Sequence, residues 1–214
     1  MTIVITGASR GIGAALAAQY KAAGEEVIGT ARGSGVEAVL DVTDPASHAA
    51  FARTLKDRPL DLLICNAGVY LDKGNDLETG FGADLWTQSF ATNVTGVFLT
   101  VQSLLPNLRA ASGAKIAIIA SQMGSSTRAP GGSYIYRASK AAAINLGRNL
   151  AVDLKPEGIA VGIYHPGWVR TDMGGDLGEI SVTESAQGLA KRIAALDLAQ
   201  TGAFETWDGR AHPF

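Results

Sequence analysis

Residues 6–13 read TGASRGIG and join a short apolar run to an alanine-rich one. The run before them, Thr2–Thr6, has the β-branched composition of a buried strand. The run after them, residues 11–23, is predicted as a helix that ends at Gly24. Because the first N–H groups of a helix are free to bind an anion, this strand, turn and helix predict a phosphate site.

Three glycines give the turn its geometry. Gly7 permits a tight bend, Gly11 lets the backbone come close to a ligand, and Gly13 lets the helix pack closely on the strand. Glycine is frequent in this chain, with 26 in 214 residues, so the spacing alone arises by chance about 0.4 times. The placement between a strand and a helix therefore carries the prediction, and a tight turn without a ligand is the alternative.

Short apolar runs and longer helical runs alternate along the rest of the chain. Six more strands are predicted, at residues 26–31, 37–40, 60–65, 115–120, 159–165 and 202–207. Four more helices are predicted, at residues 45–56, 83–109, 134–155 and 183–196. Loops are predicted at residues 69–82, 121–133 and 166–182, the second of them as a flexible surface stretch. The alternation predicts an α/β fold: a single-domain, doubly wound parallel sheet of the Rossmann type, with about seven strands and helices on both faces.

The composition indicates a folded protein, and the charge balance gives no indication of a strongly charged partner such as nucleic acid. Hydrophobic residues make up 47% of the chain and charged residues 18%, which excludes a disordered chain. The net charge of −2 gives no basic field for a nucleic-acid backbone. One cysteine and three scattered histidines have no metal-site spacing. With no secretory signal or membrane-length apolar run, the expectation is a cytoplasmic protein that binds no nucleic acid, membrane or metal.

The end of the second strand bears on which nucleotide the turn accepts. An acidic residue there would bind the ribose 2′-hydroxyl of NAD(H), whereas an arginine accommodates the 2′-phosphate of NADP(H). The sequence has the neutral Ala31 followed by Arg32, and Arg10 lies in the glycine-rich turn. Two guanidinium groups could bracket a phosphate, which predicts NADP(H). The alternative is that both arginines are solvated surface charges.

Tyr136 and Lys140 are four residues apart on a predicted helix, so their side chains share one face. A free phenol has a pKa near 10, and a nearby cation lowers that pKa. Tyr136 could then exchange a proton with an alkoxide or an alcohol. The alternative is an exposed helix pair that adds only a few tenths of a kcal/mol to stability.

Two further polar residues lie near the predicted site. Ser121 follows the fifth strand at its carboxyl end, where its hydroxyl could bind a substrate carbonyl, although a solvated turn serine is the ordinary interpretation. Asn93 lies in the middle of a predicted helix, an unfavourable place for asparagine, and a buried structural role is its ordinary interpretation.

Taken together, these residues resemble the short-chain dehydrogenase/reductase family over nearly the whole chain. Residues 6–13 are similar to its TGxxxGIG motif, residues 65–68 (CNAG) to its NNAG motif, and residues 136–140 (YRASK) to its YxxxK motif. Other positions that match the family are Asp41, Val42, Asn93, Ser121, Pro166, Gly167 and Thr171. The local sequences SQMGS and YIYRASK resemble the branch that contains C-factor-like proteins and small carbonyl reductases.

The resemblance implies a role for each matching residue. Tyr136 would be the acid/base, and Lys140 would hold the nicotinamide ribose and lower the pKa of Tyr136. Ser121 would polarise the carbonyl group, and Asn93 would hold a water molecule in a proton relay. The implied NADP(H)-binding residues are Gly7, Ser9, Arg10, Gly11, Ile12, Gly13, Arg32, Asp41, Val42, Asn66, Ala67, Gly68, Tyr136, Lys140, Pro166, Gly167, Val169 and Thr171.

The sequence departs from the family pattern at three places. Cys65 replaces the first Asn of NNAG, where a buried thiol can fill the space but lacks the hydrogen bonds of an amide. Ala120 stands where a second serine is often found. The substrate lid, around residues 172–182, is short and contains Gly174, Gly175 and Gly178, which predicts a flexible lid over an open pocket.

The resemblance predicts an NADPH-dependent carbonyl reductase or alcohol dehydrogenase that acts on a small ketone, aldehyde or alcohol. The alternative is an NAD(P)-binding, C-factor-like signalling or regulatory protein with little turnover; Ala31 and Arg32 disfavour an NAD-dependent alcohol oxidase. A homodimer or homotetramer is implied, paired through the helices predicted at 83–109 and 134–155. Trp168, Met173 and Leu177 are candidate pocket residues, and the substrate is not named by the sequence.

Overall fold

The computed structural model describes residues 1–214 and contains one sheet of seven parallel strands. The strands are β1 (Thr2–Thr6), β2 (Glu26–Ala31), β3 (Ala38–Val39), β4 (Leu62–Cys65), β5 (Lys115–Ile119), β6 (Ala160–His165) and β7 (Phe204–Thr206). The helices are α1 (Gly11–Ala22), α2 (Pro45–Leu55), α3 (Ala83–Phe90), α4 (Gly96–Ala110), α5 (Tyr134–Leu154) and α6 (Val182–Ala195). The spatial order β3-β2-β1-β4-β5-β6-β7 confirms the predicted doubly wound fold.

Both faces of the sheet are covered, which explains why its strands are apolar on both sides. A core of 19 buried residues lies under α2, α4 and α5 and includes Phe51, Leu104 and Ile116. A second core of 16 buried residues lies on the other face under α1 and α6 and includes Leu16 and Leu189. None of the helices combines the length and the apolar character required to cross a membrane.

The predicted strands are all present, but most are shorter than predicted. The clearest case is the third, which contains only Ala38–Val39 instead of residues 37–40. It lies at the edge of the sheet and pairs only with β2, so ladder hydrogen bonds support it on one side. The apolar pattern extends past the residues that can pair, and it therefore overstates strand length.

The helix predicted over residues 83–109 is present as one uninterrupted helical run, but it contains a π-helical turn that the sequence does not predict. The chain forms α3, then a π-helical turn at Ala91–Thr95, then α4. Such turns insert one residue into a helix and often occur at functional sites. Here the turn carries Asn93 into the interior and is followed by Gly96, where a Cβ atom would lie 2.9 Å from the Val42 carbonyl oxygen. Only a glycine at position 96 therefore allows the helix to approach the loop before α2 this closely.

The prediction of a flexible surface stretch over residues 121–133 is wrong for its first part. Ser121, Gly124 and Ser125 are buried, and Gln122–Gly124 form a 3-10 turn against α5. A Cβ atom on Gly124 would lie 2.6 Å from the carbonyl carbon of Lys140, so this glycine serves close packing rather than mobility. The contact fixes the loop after β5 to the helix that carries Tyr136 and Lys140.

Candidate active site

A cavity of about 660 Å³ lies at the carboxyl ends of the central strands, and we call it the cofactor cleft. Its volume is within the range of small-molecule sites, and its position is where doubly wound sheets bind ligands. Fifteen of the twenty predicted site residues line it: Gly7, Ser9, Arg10, Gly11, Ile12, Arg32, Asp41, Val42, Asn66, Ala67, Gly68, Tyr136, Lys140, Pro166 and Thr171. The five that do not line it are Gly13, Asn93, Ser121, Gly167 and Val169.

The glycine-rich turn forms one end of the cleft. Gly7 and Gly11 have positive φ angles of 68° and 56°. A Cβ atom on Gly7 would lie 2.8 Å from the Cα atom of Ala67, whereas one on Gly11 would meet only the Thr171 methyl at 3.7 Å. Gly7 thus packs against backbone, and Gly11 borders open space. No side chain caps the N-terminus of α1, so its first N–H groups can bind an anion.

Gly13 and Asn66 hold the turn together from behind. A Cβ atom on Gly13 would lie 2.3 Å from the Gly7 carbonyl oxygen, which explains why this glycine does not line the cleft. The Asn66 amide Nδ2 donates to the carbonyl oxygens of Thr6 and Gly7, each at 3.0 Å. Cys65, next to Asn66, is 2% exposed, and burial raises the pKa of its thiol to about 12. It therefore fills space as a neutral thiol.

At the far end of the cleft, the end of β2 carries no acid. Ala31 and Arg32 line the wall there, and Arg32 is close enough to Asp41 for its charge to help hold the pKa of that carboxyl below its usual value. The main cause of that lowered pKa is the backbone N–H of Thr43, which donates to Asp41 at 2.9 Å. Arg32 forms no ion pair and is exposed.

Arg10 and Arg32 do not form a pair of free guanidinium groups, because Arg10 already has a partner. Its guanidinium forms an exposed ion pair with Asp172, the first residue of the lid segment (residues 172–182). Arg10 still lines the same cavity as Arg32, but a phosphate held between them would compete with Asp172 for Arg10. The ion pair spans the cleft from the glycine-rich turn to the lid segment.

The lid segment is folded on itself rather than loose. A Cβ atom on Gly174 would lie 2.0 Å from the Val169 carbonyl oxygen, and one on Gly178 would lie 2.5 Å from the Arg170 nitrogen. The indole N–H of Trp168 donates to the Gly174 carbonyl at 2.9 Å. Gly174 and Gly178 thus permit close packing, and the flexibility of the lid stays a prediction. Val169 is buried beneath the segment at 4% exposure, so it does not reach the cleft.

Lys140 is a buried cation at the inner end of the cleft. It is 6% exposed, and its ammonium donates to the Ile119 carbonyl oxygen at 3.0 Å. Burial lowers its pKa to about 8, because a charge in the protein interior loses the solvation of water. An ammonium has three donors, and Lys140 directs one of them to a protein acceptor, so hydroxyl groups of a bound ligand would find donors here.

Tyr136 lies in the first turn of α5, and its pKa moves in the direction opposite to the prediction. The sequence predicts that Lys140 lowers this pKa, but the ammonium is 5.8 Å from the centre of the Tyr136 ring and is not among the causes of the shift. Burial raises the pKa of Tyr136 to about 12, and the charge of Asp72 adds to that rise. The side chain is therefore a protonated phenol at neutral pH.

Ser121 is the polar group that opposes the rise in the pKa of Tyr136. Its hydroxyl lies next to the Tyr136 phenol and lowers the pKa of that phenol. Ser121 is 7% exposed, and its Oγ also accepts the backbone N–H of Met123 at 3.1 Å, which fixes the side chain at the start of the 3-10 turn. A hydroxyl beside the phenol could also donate to a carbonyl oxygen bound between them.

Asn93 does not line the cleft, but its side chain links the loop after β4 to α5 by hydrogen bonds. Its side-chain carbonyl accepts the Val69 N–H at 2.9 Å, and its amide donates to the Val69 carbonyl at 2.9 Å and to the Ser139 hydroxyl at 3.0 Å. Both amide donors are therefore used within the protein. The structure thus gives Asn93 a structural role in connecting these two segments. The water-holding role implied by the family resemblance stays a prediction.

Two site residues were missed by the sequence analysis, Tyr70 and Asp72, both in the loop after β4. The Tyr70 ring stacks on the Tyr136 ring, and its hydroxyl hydrogen-bonds to Ser133. Asp72 is fully buried and accepts the backbone N–H groups of Ile135 at 2.8 Å and Tyr136 at 3.2 Å. Asp72 thus caps α5, whose own N-cap residue, Ser133, makes no capping bond. No local pattern marks either residue.

The residues present fit a nicotinamide dinucleotide. The Gly11 backbone and the free N-terminus of α1 suit a diphosphate. The Lys140 donors suit ribose hydroxyls, and the cationic, acid-free end of β2 suits a nucleotide with an extra phosphate. Each of these features belongs to one continuous cavity that reaches from Arg32 to Tyr136.

Comparisons of the sequence with known proteins agree with this geometry. A family model described as short chain dehydrogenase matches residues 1–182. The C-signal protein of Myxococcus xanthus is 35% identical over 170 residues, which cover 77% of this chain and 99% of that protein. A 1-hydroxy-2-glutathionyl-2-methyl-3-butene dehydrogenase of Rhodococcus sp. is 35% identical over an alignment of 225 positions, gaps included, that covers 97% of each chain.

Solved structures are similar over the full length of the chain. The NADPH-bound carbonyl reductase from chicken fatty liver has a TM-score of 0.90 and 31% identity, and the match covers 100% of this chain and 98% of that one. The carbonyl reductase Sniffer of D. melanogaster has a TM-score of 0.92 and 27% identity, and the match covers 100% and 99% of the two chains.

Proposed function

The chain belongs to the short-chain dehydrogenase family, and from that premise we propose that it is an NADPH-dependent carbonyl reductase. Its substrate would be a small ketone or aldehyde, and its product the corresponding alcohol. The observation that carries the proposal is the grouping of Tyr136, Ser121 and Lys140 where the cleft ends against β5. Reduced nicotinamide supplies a hydride when it is bound.

The protein side of the reaction is a proton transfer. Tyr136 Oη donates its proton to the oxygen of the reacting carbonyl as the hydride reaches the carbon, and Ser121 hydrogen-bonds to the same oxygen. An alkoxide is a much stronger base than a phenolate, so a phenol with a pKa of about 12 still gives up its proton to it. Burial keeps Tyr136 protonated at neutral pH, and this state suits reduction rather than alcohol oxidation.

The preference for NADPH rests on Ala31, Arg32 and Arg10. The wall at the end of β2 has no carboxylate to bind a 2′-hydroxyl, and Arg32, although near Asp41, lacks an ion-pair partner within the protein. A 2′-phosphate would supply one. The similar chicken protein is described as NADPH-bound, which supports the same choice.

The test is consumption of NADPH with a panel of ketones and aldehydes. Tyr136→Phe removes one hydroxyl from the proposed donor, and Tyr134→Phe removes one from an exposed tyrosine two residues earlier. We expect turnover in the wild type and in Tyr134→Phe and none in Tyr136→Phe. Undiminished turnover in Tyr136→Phe would reject the assigned role of that residue.

A second candidate function is a cofactor-binding signalling protein with little turnover. Similarity to the C-signal protein of Myxococcus xanthus favours it. A sensor does not require a proton donor beside a buried lysine, so the grouped side chains favour the enzyme. Tight NADPH binding without turnover on any carbonyl, and a cellular phenotype that Tyr136→Phe leaves unchanged, would instead support the signalling function.

A further inference from the structure

A second cavity of about 350 Å³ opens at the carboxyl ends of β6 and β7, and we call it the distal cavity. It shares no lining residue with the cofactor cleft. Neighbouring residues of the chain nevertheless contribute to both regions, since Gln122 of the distal cavity follows Ser121, and Gly167 of the distal cavity follows Pro166 of the cleft. The distal cavity therefore begins one residue along the chain from Ser121, to which the proposed function assigns the substrate carbonyl.

The aromatic wall of the distal cavity is fixed in place. Trp207 lies between two glycines, where a Cβ atom on Gly167 would come within 2.9 Å of the indole and one on Gly188 within 2.5 Å. Trp168, which also lines the cavity, is held by its hydrogen bond to the Gly174 carbonyl. A preformed wall of this kind can contact an apolar chain at little ordering cost.

The charged side chains that line the distal cavity are Arg128, Arg210 and Glu179. Arg210 already has a partner, since its Nε lies 2.9 Å from Asp208 Oδ2. Arg128 forms no ion pair, and its guanidinium donates to the neutral side-chain oxygen of Gln122. Arg128 therefore lacks a direct ion-pair partner, although the exposed Glu179 carries the opposite charge elsewhere in the cavity wall, and a ligand carboxylate would supply that partner.

His165 lies in the wall between these groups. It is 7% exposed, and its Nδ1 atom has no hydrogen-bond partner within the protein. Burial lowers its pKa to about 4, and the neighbouring His212, Arg128 and Arg210 contribute in that order. The two guanidinium groups and this uncharged imidazole line the same cavity.

We propose that the distal cavity binds a carboxylate carried by the substrate at the end remote from its carbonyl, with Arg128 as the cationic partner. A carboxylate has one charge and accepts paired hydrogen bonds from a guanidinium. Its apolar stem would lie along Trp207 and Trp168. The substrate class is then a keto acid rather than a neutral ketone, and this deepens and rests on the proposed reductase function.

The first arm of the test compares keto acids, from levulinate to its longer homologues, with their methyl esters. The variants are Arg128→Gln and, as a matched control, Arg53→Gln, which removes an exposed arginine on α2 far along the sequence. Arg128 is itself exposed, so its variant is expected to fold. We expect Arg128→Gln to lower kcat/KM for the best keto acid about tenfold and to leave the ester within about twofold. Arg53→Gln should change neither.

The second arm does not depend on turnover. Two of the three tryptophans line the distal cavity, so intrinsic fluorescence reports on its occupancy. We expect hexanoate to produce a saturable change that Arg128→Gln weakens about tenfold, and hexanamide to bind no better to the wild type than to the variant. Equal binding of hexanoate and hexanamide, or hexanoate binding that Arg128→Gln leaves unchanged, would overturn the carboxylate site.

The two arms separate the two proposals. Turnover of esters and keto acids with no Arg128-dependent difference would reject the distal carboxylate site and keep the reductase. Arg128-dependent binding of hexanoate without turnover of any carbonyl would keep a carboxylate site and reject both the reductase and the assignment of that carboxylate to its substrate.

Discussion

The ring of Tyr70 stacks on the ring of Tyr136, with centroids 4.3 Å apart and planes inclined by 20°. The two residues are far apart in the chain and come from different elements, the loop after β4 and the first turn of α5. Offset stacks of this kind add about 0.5–1.5 kcal/mol beyond the area they bury. The contact restricts the Tyr136 ring to one face of the site.

Loss of this stack should lower the rate without unfolding the protein. We expect Tyr70→Ala to reduce kcat about tenfold, because a phenol that is free to rotate spends less time aligned for proton donation. Tyr70→Phe keeps the ring and loses the hydrogen bond to Ser133, so it should retain at least half of the rate. Equal losses in the two variants would assign the effect to the hydroxyl and contradict a role for stacking.

The buried carboxylate of Asp72 should matter for stability as a helix cap. Asp72→Ala leaves the N–H groups of Ile135 and Tyr136 without their acceptor, which should cost about 2 kcal/mol of unfolding free energy. Asp76→Ala is the control, since Asp76 accepts similar bonds from Glu78 and Thr79 in an exposed loop. Denaturant unfolding should place the control within about 1 kcal/mol of the wild type. Similar losses in both would mean that Asp72 is an ordinary loop residue.

Arg32 should discriminate between the two nucleotides. We expect Arg32→Ala to weaken NADPH binding about tenfold and to leave NADH binding within about twofold, because only NADPH carries the phosphate that the guanidinium would bind. Calorimetric titration of both cofactors measures this, with Arg53→Ala as the control for lost positive charge. Parallel weakening of both cofactors, or equal affinity of the wild type for the two, would contradict the NADP(H) assignment.

The buried Lys140 should make stability depend on alkaline pH. Its pKa of about 8 lies below the ordinary 10.5, so folding penalises the protonated amine. The penalty is complete below pH 8 and fades as the pH rises toward 10.5, since the amine is then neutral in both states. Lys140→Met should therefore be more stable than the wild type at pH 7, by up to about 3 kcal/mol, and the difference should narrow above pH 8. Lys191→Met, at an exposed position of α6, should show no such convergence.

Much of the fold is predictable because it depends on local patterns. The strand-turn-helix at residues 6–13 appears as predicted, with Gly7 and Gly11 in the positive-φ conformation that glycine adopts readily. The alternation of apolar strands and helices gives the doubly wound order, since parallel crossovers leave few other topologies. All of the predicted residues of the glycine-rich turn except Gly13 also line one cavity with Tyr136 and Lys140.

The rest of the site depends on contacts between distant segments. Asp72 caps a helix that begins more than 60 residues later, and nothing around it in the sequence marks that partner. The π-helical turn at Ala91–Thr95 is followed at once by the approach of Gly96 to Val42, which is also a long-range contact. The pKa of Tyr136 was predicted from the spacing to Lys140, but burial, which the spacing does not reveal, has the larger effect.

The most direct test of the account is the single-turnover rate of NADPH oxidation by Tyr136→Phe at saturating ketone, measured together with the dissociation constant for NADPH. The account predicts a rate at least about a hundredfold below that of the wild type, because the proton donor is missing, and a dissociation constant within about threefold of the wild type. A rate close to that of the wild type would contradict the assignment of Tyr136 Oη as the proton donor.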